Sequence, residues 1–211
     1  MDDDHKERPI LFSAAMVRAT LGGGKTQTRR VMRPQPVAYE EAEAGDLVFG
    51  VGGEILKVRE SRGFYARKAD RLNAYPYHCP YGVPGDRLWV RETWRVGAWN
   101  HDTESIAVDY RADGCARREY LPLTDNEQFL RLWRESCNDA LKAGLESTET
   151  GGFTWEPHEA PTRWRSPLYM PRWASRITLK LTEVRAERLQ EISNHDADAE
   201  GTTMHHARCV R

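Results

Sequence analysis

The sequence predicts an α+β fold: a small mixed β-barrel with short flanking helices and a helical, loop-rich insertion. Three observations point to it. Several short stretches alternate apolar and polar residues, the period of a half-buried strand. The helical patterns between them are brief, each with a capping residue in front and glycine behind. No segment repeats, and the strands are too few and too interrupted for a sandwich. A chain of 211 residues can build one sizeable core, and 1–211 reads as a single domain.

"RPILFS" predicts a strand over 9–13. Ser13 can cap a helix running from Ala14 to Leu21, with Met16, Val17, Thr20 and Leu21 on one face. Gly22, Gly23 and Gly24 stop it, because glycine tolerates the left-handed conformation that ends helices. "TQTRRVM" then reads as a strand ended by Pro34 and Pro36. The acidic run 37–46 reads as an exposed excursion. "DLVFGVGGEILKVRES" reads as a hairpin turning at Gly52 and Gly53.

"CPYGVPGDRLWVRETWRV" predicts a strand entered from a Pro-Gly-Asp turn, with Leu88, Val90 and Glu92 in alternation, and "ESIAVDYRA" predicts another. Residues 114–162 read as an insertion. Within it, Thr124 or Asp125 caps a helix with Phe129, Leu130, Trp133, Cys137 and Leu141 on one face, stopped by Gly144. "SRITLKLTEVRAERL" alternates most cleanly and predicts a strand over 176–189. "SNHDADAEG" predicts a short helix capped by Ser193 or Asn194 and stopped by Gly201.

Thirty-one basic residues stand against 32 acidic ones, so any contact with nucleic acid must come from local patches rather than a global field. The four cysteines are scattered without a CxxC pair, which predicts reduced thiols. The N-terminus lacks a leader pattern, and no apolar run approaches the ~20 residues of a membrane span. Cytoplasmic residence and no membrane partner are the expectation.

The stretch "GGGKTQTRRV" carries the question of function. A phosphate-binding GxxxxGK[ST] loop needs a strand before it and a helix after it. Here the order is inverted, and Ala19 or Thr20 stands where the first glycine belongs. A helix stop followed by a solvated edge strand is the plain alternative. Against that stand Lys25, Arg29, Arg30 and Arg33, four cations in nine residues with no acid among them. Thr26 and Thr28 lie inside that field, and a hydroxyl beside a lysine is a recurring way to activate a weak nucleophile or fix a water.

"RPILFSAAMVRATLGGGKTQTRRV", "CPYGVPGDRLWVRETW", "SPLYMPRWASRITLKLTEVRAERLQEIS" and "DADAEG" together resemble the ASCH domain family of the PUA-like superfamily, nearest to its phage and prophage members. The likeness spans roughly residues 8 to 201 and is weakest over 114–162. It implies a PUA-like β-barrel with a basic cleft for RNA or nucleosides. Some bacterial ASCH proteins are amidohydrolases that remove the acetyl group of N4-acetylcytidine. The resemblance implies the same roles for Lys25 and Thr28, from their K-T-x-T motif, and for Glu200, from their helix-end glutamate. Other members resemble ribonucleases or non-catalytic nucleic-acid-binding modules, and both readings stay open. The chemistry is coherent. Desolvation lets a buried lysine lose its proton, so Lys25 can deprotonate Thr28 or a water that Thr28 holds. Glu200 can orient the lysine or carry protons, and Arg29 or Arg30 can hold a phosphate or an oxyanion.

"RWRSPLYMPRWASR" interleaves Arg163, Arg165, Arg172 and Arg176 with Trp164, Tyr169 and Trp173. That alternation suits phosphate contact and base stacking. The competing reading puts Trp173 and Tyr169 in the core. Glu92 is either a second acid in the cleft or a solvated strand residue. His78, Cys79, His195, His205, His206 and Cys209 lack the spacing of a closed zinc site, so neither metal nor cofactor is expected. The tail "GTTMHHARCVR" is shorter than the family pattern and reads as a truncated C-terminus. An open edge along 176–189 would then favour a homodimer.

Overall fold

The computed structural model describes residues 5–32, 35–36, 47–49, 55–58, 74–76, 79–113, 119–149, 152–156 and 159–201, with 47–49, 55–58 and 74–76 described by backbone alone. The chain folds as two compact units. One takes residues 1–8, 23–88 and 180–211, and the other takes 9–22 and 89–179. The predicted insertion at 114–162 falls wholly within the second.

β1 (Glu7–Leu11) leads into α1 (Ala14–Leu21). The helix occupies the predicted residues for the predicted reason: Ser13 Oγ accepts from the Met16 amide at 3.3 Å, meeting one of the orphan donors of the first turn. Val17 is its buried anchor. Gly22 closes the helix, and Gly23 turns the chain at φ 74°, a conformation that L side chains resist.

β2 (Leu47–Phe49), β3 (Ile55–Val58) and β4 (Ala74–Pro76) form an antiparallel sheet in that order. The expected hairpin is therefore present. Its turn at Gly52 and Gly53, and the acidic run 37–46, lie outside the described residues.

β5 (Arg87–Arg91) stops one residue short of Glu92. β6 (Trp94–Asn100), β7 (Ser105–Tyr110) and β8 (Tyr120–Pro122) then make an antiparallel sheet ordered β6-β7-β8. All six residues of β7 are buried, as expected of a central strand covered on both faces. Ile106, Val108 and Tyr110 enter the core with Trp94 and Val96. On the other face Asp109 stands opposite Arg95 of β6 and accepts from its Nε at 3.1 Å. A bulge follows Val96. A side chain at Gly97 there would collide with the Asp109 carboxylate.

α2 (Asn126–Lys142) covers that core. Asp125, one of the two predicted caps, accepts from the Gln128 amide at 3.1 Å. The predicted apolar face is present at Phe129, Leu130 and Trp133 and is corrected at Leu141. Phe129, Leu132, Ser136 and Ala140 are the buried residues, and Leu141 is 56% exposed. Small Ser136 and Ala140 let the helix lie close, and Ser136 satisfies its hydroxyl on the Leu132 carbonyl at 2.7 Å. Leu130 and Trp133 pack at the rim of the core.

β9 (Thr178–Lys180) completes a sheet ordered β1-β5-β9. The long strand expected over 176–189 is corrected to these three residues. Its apolar alternation continues, but Thr182–Arg185 carry no ladder and Leu189–Glu191 form a 3-10 turn. The extended open edge argued for a homodimer is correspondingly short. α3 (Asn194–Ala199) follows, capped by Ser193, and Gly201 takes φ 76° after it. The tail 202–211 lies outside the described residues.

The architecture is α+β. Among the described residues the strands form three separate three-stranded sheets, and none of these closes into a barrel. No described helix is long and apolar enough to cross a membrane.

Candidate functional site

Lys25 and Glu200, 175 residues apart in sequence, meet in the first unit. A single antiparallel bridge joins their backbones. The Lys25 ammonium donates to the Glu200 carbonyl at 3.0 Å and lies 3.5 Å from Glu200 Oε2. The carbonyl of Ala199, at the end of α3, accepts both the Thr26 and Gln27 amides, at 2.8 and 2.9 Å. This bond pattern corrects the strand predicted for 26–32. The amides that would have started a ladder are taken by a helix end, and Lys25 alone pairs.

The Lys25 side chain is 4% exposed. Burial drives its amine below the ordinary lysine value of 10.5, the Glu200 carboxylate opposes that, and the charges of Arg30 and Arg29 reinforce it. Thr28 Oγ1 is shielded from solvent and has no hydrogen-bond partner. Leaving a buried hydroxyl unsatisfied costs about 1–3 kcal/mol of desolvation. Thr26 is exposed.

Arg29 is not the open phosphate holder that the sequence suggests. It donates to Glu200 Oε1 at 3.0 Å and Glu187 Oε2 at 3.1 Å, and lies 3.7 Å from Asp196 Oδ2. Arg30 is exposed and donates to the Arg29 carbonyl. Arg33 lies outside the described residues. Four further members of this network were not singled out from sequence: Gln27, Arg185, Glu187 and Asp196. Asp196 accepts from Ser193 Oγ, Gln27 Nε2 and Arg185 Nη2 at 2.7, 3.0 and 2.7 Å. These bonds hold its carboxyl well below the ordinary 3.8. Ser193 followed three residues later by Asp196 is a capping-box spacing, and that was the available signal. Lys25, Arg29 and Arg185 thus face Glu183, Glu187, Asp196 and Glu200, so that every one of these cations meets an acid.

The arginine-aromatic segment belongs to the second unit. Arg165 pairs through its backbone with Trp94, and its Nη1 donates to Glu135 Oε2 at 3.0 Å. Arg163 Nη2 donates to the same oxygen at 2.7 Å. Burial pushes the Glu135 carboxyl up, but Arg165 and Arg163 together bring it below 4.5. Arg172 is exposed on a 3-10 turn and donates to Thr178 Oγ1 at 3.1 Å. Of the two readings of Trp173, the structure favours the core one: its ring packs edge-on against Trp94 at 5.9 Å, partly buried beside the core. Tyr169, at 77%, and Trp164, at 36%, are the exposed aromatics of the segment. Arg163, Trp164, Arg165 and Tyr169 line a cavity of about 480 Å³ closed on its other side by α2.

Glu92 is also corrected. It is 2% exposed, not solvated. Arg176 grips it side-on, Nε to Oε1 at 2.9 Å and Nη2 to Oε2 at 3.0 Å. Arg176 also donates to Asp113 and lies over the Tyr110 ring at 4.0 Å. Burial raises the Glu92 pKa, and Arg176 opposes the rise. This is a structural clamp, and it withdraws Arg176 from phosphate contact.

No model of a known protein family, no curated protein and no solved structure matches this chain.

Proposed function

We propose that this chain is an ASCH-type, PUA-like protein that binds a modified nucleoside and hydrolyses an amide on an acylated cytidine. One observation carries the reading: Lys25 and Glu200 converge, with Lys25 desolvated. The unpartnered Thr28 hydroxyl supports it.

The neutral Lys25 amine takes a proton from a water that Thr28 Oγ1 holds. The resulting oxygen attacks the amide carbonyl, and the carbonyl π pair moves to its oxygen. On collapse the C–N bond breaks, and the Lys25 ammonium returns the proton to the departing exocyclic amine. Cytidine and acetic acid are the products, the second water proton leaving to solvent as the acid ionises to acetate. Glu200 fixes the amine through its carbonyl and carboxylate, and Arg29 fixes Glu200.

N4-acetylcytidine incubated with the full chain tests this, with cytidine followed by chromatography. Turnover is expected, and Lys25→Ala should abolish it while the melting curve remains cooperative. Only the neutral amine works, so the rate should rise with pH and level off below the ordinary lysine value of 10.5. An inactive wild-type protein against a panel of acylated nucleosides, or unchanged turnover in Lys25→Ala, rejects the reading.

A further inference from the structure

An arginine that lines the cavity in the second unit makes, among the described residues, no hydrogen bond through its best hydrogen-bonding edge. A guanidinium offers Nε–H and one Nη2–H along a single side, a two-pronged fork matched to two oxygens of a carboxylate or phosphate. In Arg165 both Nε and Nη2 are shielded from solvent and have no partner. Its remaining donor, Nη1, is the one that meets Glu135. The indole N–H of Trp94, which also lines the cavity, is a second orphan, in a residue only 2% exposed. Buried donors left unmade in this way are uncommon, and each asks for an acceptor.

The charge of the cavity says which acceptor. Among the described residues, Arg131, Arg163 and Arg165 line it against the carboxylate of Glu135, an excess of two positive charges. A phosphate monoester carries about −1.5 to −2 at pH 7, which balances them. Tyr169, on the same lining and 77% exposed, presents a flat apolar face beside the cations, where a base can stack.

We propose that this cavity binds the terminal phosphate monoester of a nucleotide. Arg165 grips two phosphate oxygens through its Nε/Nη2 edge, and Tyr169 lies against the base. Arg165 now sits over the Trp94 ring at 5.4 Å, so binding turns the guanidinium off that ring towards the solvent-exposed Arg131 and Arg163. The choice of a nucleotide over another organic phosphate rests on the nucleoside-binding reading above. The anion site itself does not.

Isothermal titration calorimetry of the full chain tests the proposal with cytidine 5′-monophosphate, cytidine, inorganic phosphate, and an RNA tetramer with either a 5′-phosphate or a 5′-hydroxyl. The monophosphate should bind about 10- to 100-fold more tightly than cytidine, the worth of charge-assisted hydrogen bonds, and more tightly than inorganic phosphate. A 5′-phosphorylated tetramer that outbinds the monophosphate identifies an RNA end as the source. A weaker one identifies the free nucleotide. Arg165→Lys keeps the charge but loses the fork, and should weaken the monophosphate about 10-fold. Arg131→Ala removes an exposed cation without touching the core, and should weaken binding and flatten its salt dependence. Equal affinity for monophosphate and cytidine, no binding at low salt, or undiminished binding in both variants overturns the site. Inorganic phosphate binding as tightly as the monophosphate overturns the base contact. Hydrolysis and this site fail separately: a protein that deacetylates but does not bind the monophosphate overturns only the second.

Discussion

The segments at 25–30 and 163–165 both read as clusters of cations, and the fold treats them in opposite ways. Around residue 25 every principal cation meets an acid. Lys25, Arg29 and Arg185 are matched by Glu183, Glu187, Asp196 and Glu200, and no excess of positive charge remains among them. Around residue 165 two arginines share one carboxylate, and one guanidinium edge stays empty. Arg176 sharpens the contrast within the same unit, because its Nε/Nη2 edge is filled by Glu92. A run of basic residues is therefore not in itself an anion site. What decides is whether distant acids arrive to fill the donors.

The largest expected effect separates Arg176 from Arg165. Arg176→Leu strands the buried Glu92 carboxylate, and breaking such a pair costs about 3–5 kcal/mol. Arg165→Met loses the Glu135 hydrogen bond but leaves that half-exposed carboxylate its Arg163 partner, and should cost less, about 1–2 kcal/mol. Urea denaturation measures both. Equal destabilisation by the two would break the comparison, since it would mean that the Arg165 edge is as fully used as that of Arg176.

A smaller effect probes the acid-matched cluster. Asp196 ties α3 to the 25–29 segment, so Asp196→Asn should speed hydrogen exchange at the Thr26 and Gln27 amides, whose acceptor is the Ala199 carbonyl. Amides of β6 and β7 should not change. The pH dependence has a definite sign. The folded pKa of Asp196 lies below 3.8, so its contribution is complete above 3.8 and is lost as pH falls through the lower folded value. Wild-type protection of the two amides should therefore hold at 3.8 and fail only in stronger acid. Protection unaffected by either change would make Asp196 a bystander.

Local signals were the legible ones. Ser13, Val17 and Gly22 specify the eight-residue α1 from within and beside it, and Asp125 and Gly144 bracket α2. The meeting of Lys25 with Glu200 was also expected, though from a motif resemblance rather than from spacing. The failures share one cause. Strand formation over 26–32 and 176–189 depends on whether a neighbour offers a ladder, and alternation alone does not say. In the first case the end of α3 supplied the acceptor instead. The fate of each arginine likewise depends on acids far along the chain: Glu200 and Glu187 lie 171 and 158 residues from Arg29, and Glu92 lies 84 from Arg176. Helix faces mislead more mildly. Leu141 continues the apolar stripe of α2, but the core reaches only as far as Ala140.

The most direct measurement is nitrogen-15 spectroscopy of the arginine Nε–H groups during titration with cytidine 5′-monophosphate. Each arginine reports its own edge. The Arg165 signal should move as its Nε–H gains a phosphate oxygen, while those of Arg29 and Arg176 stay where they are. Movement at Arg29 with Arg165 unchanged would place the anion on the supposedly saturated cluster, and the distinction between the two regions would be wrong.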